Sequence, residues 1–267
     1  MSHLLRTFAP ITDDGWRVLD EEARQRLEAA LATRRLVDFA GPRGWTHAAT
    51  TLGRTQAIAE PPVEGVTALQ RRVAPLVELR ADFSVSFTEL RDADRGAVDV
   101  DLANLDEAAL RIARAENVAV FHGWRQASIP GIAETSPHTA VQLGRDFDSY
   151  PGRVASAVRV LLETGVSGPY GLALGPTGYT GVVETTEHGG YPVFDHLGHI
   201  LGGPIVWAPG VQGAVVLSLR GGDFLFESGQ DLSIGYDHHD GQAVHLYLEE
   251  SFSFRVATPE AAIALTS

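Results

Sequence analysis

Apolar residues change their spacing several times along the chain, and each change marks an element. Trp16, Leu19, Ala23, Leu27, Ala30 and Leu31 recur at helical intervals behind the capping oxygens of Thr12-Asp13-Asp14, which predicts a helix with one apolar face. The segment continues through Arg34, Arg35, Val37 and Asp38 to Gly41-Pro42-Arg43-Gly44, a group that must break a helix, with Trp45 placed to anchor the turn. From Pro75 to Leu90 the period drops to two: Val77, Leu79, Ala81, Phe83, Val85 and Phe87 alternate with Glu78, Arg80, Asp82, Ser84 and Ser86, the pattern of a long strand with one polar face. Thr50 to Ala59 also reads as extended, and Pro61-Pro62 to Gly65 can turn it, so a long two-stranded arm is expected. An isolated ribbon is marginal in water and needs a partner.

Further along, Asn104 and Glu107 have capping-box spacing ahead of Leu105, Ala108, Ile112 and Ala115, and Pro151 suits the first turn of a helix carrying Val154, Val158, Leu161 and Leu162 that ends near Gly165. Short apolar runs at Tyr170 to Leu174, Ile205 to Trp207 and Ala214 to Leu219 are bounded by Gly or Pro and read as buried strands. Asp240-Gly241 separates two β-rich runs, and Val244, Leu246, Leu248, Phe252, Phe254 and Val256 line one side of the second. The pattern is α+β, without repeats or a low-complexity linker.

Composition narrows the chemistry. The 267 residues, 44% of them hydrophobic, suffice for a buried core, and no apolar run reaches the roughly 18 residues of a membrane span. Met1-Ser2-His3-Leu4-Leu5-Arg6 lacks the features of an export signal, so a cytoplasmic protein without membrane association is expected. The chain has no cysteine and no lysine, which excludes disulfides, thiolate and Schiff-base chemistry, a Walker lysine and any lysine–asparagine cross-link. A net charge of −13 disfavours nucleic acid as a partner.

Glu184, Glu187, His188, Asp195, His196 and His199 form the strongest enzyme-like grouping, since imidazole and carboxylate bind zinc or iron. The order is not that of a His-Glu-x-x-His site, and Gly189-Gly190-Tyr191-Pro192 interrupts any helix through it, so a structural or pore-lining role is favoured over a metal site. His238-His239 beside Asp237 and Asp240 reads as turn polarity ahead of Gly241. No Gly-x-Ser-x-Gly elbow or dinucleotide loop is present, and neither cofactor nor catalytic residue is expected.

Several linear blocks extend this picture: Phe8-Ala9-Pro10; Arg34-Arg35-Leu36-Val37-Asp38 with Gly41-Pro42; Pro75-Leu76-Val77-Glu78-Leu79-Arg80; Gly168-Pro169-Tyr170; and Arg220-Gly221-Gly222-Asp223-Phe224 through Gln230-Asp231-Leu232-Ser233-Ile234-Gly235-Tyr236. In this order they resemble the encapsulin family of compartment proteins, which also bears the linocin-type bacteriocin label, from about Leu4 to Leu265. The resemblance implies the major-capsid fold of tailed phages, the Hong Kong 97 type, with a lumen-facing helix region near 1–45, an extended arm at 48–90, a peripheral domain at 91–130 and 220–267, and an axial domain at 131–219. It implies a shell of this chain, in the smallest icosahedral form sixty copies, around a dye-decolourising peroxidase or a ferritin-like protein. The cargo's C-terminal peptide would bind at Arg34, Asp38, Asp231, Leu232, Ile234 and Tyr236, and Glu187, His188, Gly189, Gly190 and Tyr191 would line a fivefold pore. Core packing and a local Arg34–Asp38 ion pair compete with the cargo roles. Thr33 stands where the family suggests glycine, and Gly189-Gly190 is richer in glycine than its pore loops. A metal-dependent hydrolase or protease using His188, His196 or His199, and a secreted bacteriocin, are the alternative readings.

Overall fold

The computed structural model describes residues 3–144, 146–187 and 189–266. Helix α1 (Asp13–Ala30) starts where Thr12 accepts the Gly15 N–H and buries Trp16, Leu19, Ala23, Leu27 and Ala30. It does not run on toward Gly41. At Leu31 ψ swings to 77°, and Thr33–Leu36 forms a separate turn, α2, before strand β1 (Asp38–Ala40). Buried Asn117 explains the break: its amide donates to the carbonyls of Ala30 and Pro209, and its oxygen accepts from the backbone N–H and the hydroxyl of Thr33. The groups freed where one helix stops and the next starts are satisfied by a side chain instead of by further helix.

A ribbon follows, formed by β2 (Ala49–Ile58) and β3 (Ala68–Pro75). The alternating run forms β4 (Val77–Ser86), which is not the ribbon's second strand but pairs antiparallel with the long C-terminal strand. It stops at Ser86, whose hydroxyl accepts the Glu89 N–H and caps α3 (Phe87–Asp94), so Phe87 is helical and not the last residue of the strand. Helix α4 (Ala103–His122) begins one residue before Asn104, and no capping box forms. Asp101 accepts the Ala103 N–H, and Asn104 donates to the Ser84 carbonyl.

The remaining elements are α5 (Ile132–Thr135), β5 (Val141–Gln142), α6 (Tyr150–Glu163), β6 (Tyr170–Leu174), α7 (Pro176–Glu184), α8 (Val193–Leu201), β7 (Ile205–Trp207), β8 (Ala214–Ser218), β9 (Phe224–Ser228), β10 (Ser233–His239), β11 (Ala243–Val256) and β12 (Ala262–Thr266). They complete two sheets. One has the order β5-β12-β8-β6-β7, with β6 and β8 buried along their whole length, as a sheet covered on both faces must be. The other is organised by β11: β4 lies along one side, and β10 and then β9 lie end to end along the other, with β1 beyond β9. Phe252 fixes this arrangement, since it pairs with Val77 on one side and Ser228 on the other.

Two apolar cores result, and α4 belongs to both. Its first half (Leu105, Ala108, Ala109, Ile112, Ala113) packs with α1, β4, β10 and β11, and its last turns (Ala119, Val120, Phe121) pack with the second sheet and α6 and α8. Between these stretches the same helix carries buried Glu116 and Asn117. A polar seam therefore runs between the cores, where burial without partners would be costly.

Candidate functional site

The seam is built around Arg34. Its guanidinium, on α2, donates to Glu116 on α4 at 3.0 Å, to Glu250 on β11 at 2.9 Å and to Asp231 in the β9–β10 connection at 2.5 Å. No Arg34–Asp38 pair forms. Burial alone would lower the affinity of Arg34 for its proton, but the charges of Glu116, Glu250 and Asp231 outweigh it and hold the group more firmly protonated than usual.

Glu116 and Glu250 face a different problem. Both are fully buried, and desolvation raises both carboxyls above the ordinary range, Glu250 well above it with the charge of Glu116 adding to the shift. The Oε1 of each has no hydrogen-bond partner among the described residues. Asp231, on the outer side of Arg34, is the member of the cluster that reaches a surface.

That surface is a groove of about 620 Å³ between α1 and β10. Ala23 and Leu27 of α1, with Leu31 at its end, form one wall, and Leu232, Ile234 and Leu248 form the facing wall and floor. Leu4 and Arg6 line it from the N-terminal segment, and Arg34, Arg35 and Asp231 line it from the seam. Its charges are largely paired within the subunit: Arg6 with Asp20 at 2.7 Å, Arg24 with Glu28 at 2.7 Å, and Arg34 with the acids already named.

The residues singled out from the sequence divide accordingly. Arg34, Asp231, Leu232 and Ile234 line this one groove, although Ile234 is only 2% exposed and also belongs to the core. Tyr236 is buried beyond the groove, bonded through its hydroxyl to His239 at 2.6 Å and through its N–H to the Leu4 carbonyl at 2.9 Å. Asp38 lies in a separate cavity of about 190 Å³ and accepts the Gly222 N–H at 2.6 Å. Glu116 and Glu250 were not singled out, yet both interrupt an apolar pattern. Glu116 follows Ile112 by one turn on the buried face of α4, and Glu250 falls on the inward parity of β11 between Leu248 and Phe252.

The loop between α7 and α8 is a small hairpin, closed by a bridge between Thr186 and Pro192 and by the Tyr191 carbonyl accepting the Glu187 N–H at 2.9 Å. Glu187 and His196 Nδ1 lie 2.9 Å apart, the Tyr191 hydroxyl lies 3.2 Å from His199 Nδ1, and Gly189 and Gly190 turn the hairpin with φ of 116° and 82°. His188, expected to line the pore, lies outside the described residues. Among the described residues no three His, Asp or Glu side chains converge as a metal site. His238 and His245 stack at 4.3 Å, each bonded to its own aspartate, Asp237 and Asp240. No helix is long and apolar enough to cross a membrane among the described residues.

Comparison with known proteins bears on all of these features. The family model described as "Encapsulating protein for peroxidase" matches residues 1–253. The type 1 encapsulin shell protein of Rhodospirillum rubrum is 47% identical over 99% of this chain and 96% of its own length, and that of Mycobacterium tuberculosis is 40% identical over 100% of both. Among solved structures, a virus-like particle from Pyrococcus furiosus matches with a TM-score of 0.62 at 17% identity, covering 93% of this chain and 98% of that one. The capsid of Myoviridae phage XM1 matches with a TM-score of 0.54 at 11% identity over 88% and 90%. At such identities these likenesses show the fold, which is that of phage capsid subunits.

Proposed function

Because this chain belongs to the type 1 encapsulin shell-protein family, and is thus a subunit of a capsid-like cage, we propose that it closes into an icosahedral shell of sixty copies that encloses a cargo enzyme held by its C-terminal peptide. The ribbon supports the assembly part of this reading. Ile58, Val63, Val66, Leu69 and Val73 are 47–63% exposed on it, an apolar surface with no core beneath it in the single subunit. Neighbouring copies are its natural cover. In this reading the arm expected at 48–90 shortens to residues 48–75, because β4 pairs with β11 and joins residues 91–130 and 220–267 in the peripheral domain, and residues 131–219 form the axial domain. The Glu187–Tyr191 hairpin lies at the fivefold pore.

The groove between α1 and β10 carries the cargo role. It is the one described cavity that joins a mainly apolar floor to the Arg34 cluster, and an empty groove leaves no buried charge unpaired. Oligomeric cargo displaying several tails would gain avidity of roughly 10²–10⁴ over a single contact, so each groove can be shallow. The description of the matching family favours a peroxidase over a ferritin-like protein as the cargo. The shell is proposed to do no chemistry itself and to stand in the cytoplasm.

The test is co-expression with the host's dye-decolourising peroxidase, with and without its C-terminal tail. Only the tailed enzyme is expected to co-elute with shells, and Leu232→Asp, at a half-buried groove position, should empty them without disturbing assembly. Equal retention of the tailless enzyme would sink the groove reading.

A further inference from the structure

The groove is bordered by an unfinished sheet. β10 is the last strand on its side of β11, so among the described residues one of its edges has no strand beside it. In an antiparallel pair, residues alternate between those that bond to the neighbouring strand and those whose N–H and C=O point away from it. Tyr236 is of the second kind, because its N–H reaches outward to the Leu4 carbonyl at 2.9 Å. Ile234, two residues earlier in the same unbroken register with Leu248, therefore points its own N–H and C=O outward too. Among the described residues no backbone group from outside the sheet meets them.

The N-terminal segment touches this edge at one point. Its main chain meets β10 only through the Leu4 carbonyl, in a turn over His3 and Leu4, and at Leu5, with φ of 53°, it passes into the short Arg6–Phe8 turn. Next to that point the edge borders the groove, which Ile234 and Leu232 line together with Ala23 and Leu27 of α1 and Leu31 at its end. An open strand edge is a template for another strand unless it is covered. Here a segment of the chain covers the Tyr236 position, and among the described residues no backbone group covers Ile234, beside the apolar wall that α1 gives the groove.

We propose that the groove takes its ligand as an added β-strand: an extended peptide that bonds by main chain to Ile234 on the β10 edge and presses alternate apolar side chains against α1. This rests on the groove being the cargo site and adds how it reads a tail. The charges lining the groove favour an occupant without charged side chains in its middle, since Arg6, Arg24 and Arg34 are already paired and Arg35 alone among them has no partner among the described residues. Main-chain bonding supplies affinity that does not depend on sequence, and the period-two apolar contacts supply selection.

The experiment uses complete shells co-expressed with a green fluorescent protein carrying a randomised C-terminal tail. Shells are purified, retained tails are sequenced, and hydrogen exchange at Ile234 is compared in loaded and empty shells. Strand addition predicts apolar residues at every second position, proline excluded from one parity only, and exchange at Ile234 slowed by roughly tenfold or more on loading. Retained tails with no parity, or an Ile234 amide unchanged by loading, overturn strand addition while leaving the groove as the site. An amide already protected in empty shells also overturns it, because the edge is then taken by a second copy. If no tail is retained, or Leu232→Asp shells retain tails equally well, the groove reading itself fails.

Discussion

The ribbon and the groove are both surfaces that a single subunit leaves incomplete, and they are incomplete in opposite ways. The ribbon turns apolar residues outward with nothing behind them, so it is unfavourable until something covers it. The groove is concave; its floor belongs to a core that is already packed, and its charges are, apart from Arg35, largely matched within the subunit. A surface of the first kind drives association whenever copies meet. One of the second kind is stable empty and can wait for a ligand. If the groove is the cargo site, as proposed, assembly and loading are separable by mutation.

Deleting Thr55 to Thr67 removes the outer part of the ribbon and should have the largest effect: closed shells give way to small oligomers on size-exclusion chromatography. Fully burying a single Val, Leu or Ile contributes about 1.5–3 kcal/mol, and the lost contacts recur at every subunit. Normal shells from this deletion would remove the ribbon from the assembly account.

Arg34→Ala strikes the seam. It leaves Glu116 and Glu250 buried without their cation, and losing one partner of a buried ion pair costs about 3–5 kcal/mol. A lowered denaturation midpoint of the subunit is expected, together with poorer loading, since Asp231 loses its anchor at the groove. An unchanged midpoint would show that the seam is not the junction between the cores.

The buried carboxyls of Glu116 and Glu250 give a smaller, graded effect. Both carboxyls are raised by burial, so the folded chain keeps a proton that the unfolded chain releases. The contribution is present at acid pH and is lost as pH rises through the raised values. Stability measured by denaturant from about pH 5 to about 8 should therefore fall with rising pH on account of this pair, and Glu250→Gln, which removes the group raised furthest, should flatten that fall. The same slope in the variant would show that these carboxyls are not its source.

How far the sequence revealed these regions follows from what periodicity can report. Alternation in Val77 to Val85 is plain because one face of β4 packs on α4. The true second strand of the ribbon, Ala68–Pro75, shows none, with Gln70-Arg71-Arg72 between Leu69 and Val73, because neither face of the ribbon is buried in the subunit. Helix α1 was legible down to its cap. Its end was not, because the group that terminates it, Asn117, is distant in sequence. Linear blocks located Arg34, Asp231 and Leu232, but only the fold brings them to Glu116 and Glu250, and only the strand register shows that Asp38 lies beyond a neighbouring strand.

The most direct test of the central claim is size-exclusion chromatography followed by negative-stain microscopy of the untagged chain. Uniform hollow particles of icosahedral outline are the predicted result. A stable monomer or small oligomer at all concentrations would contradict it.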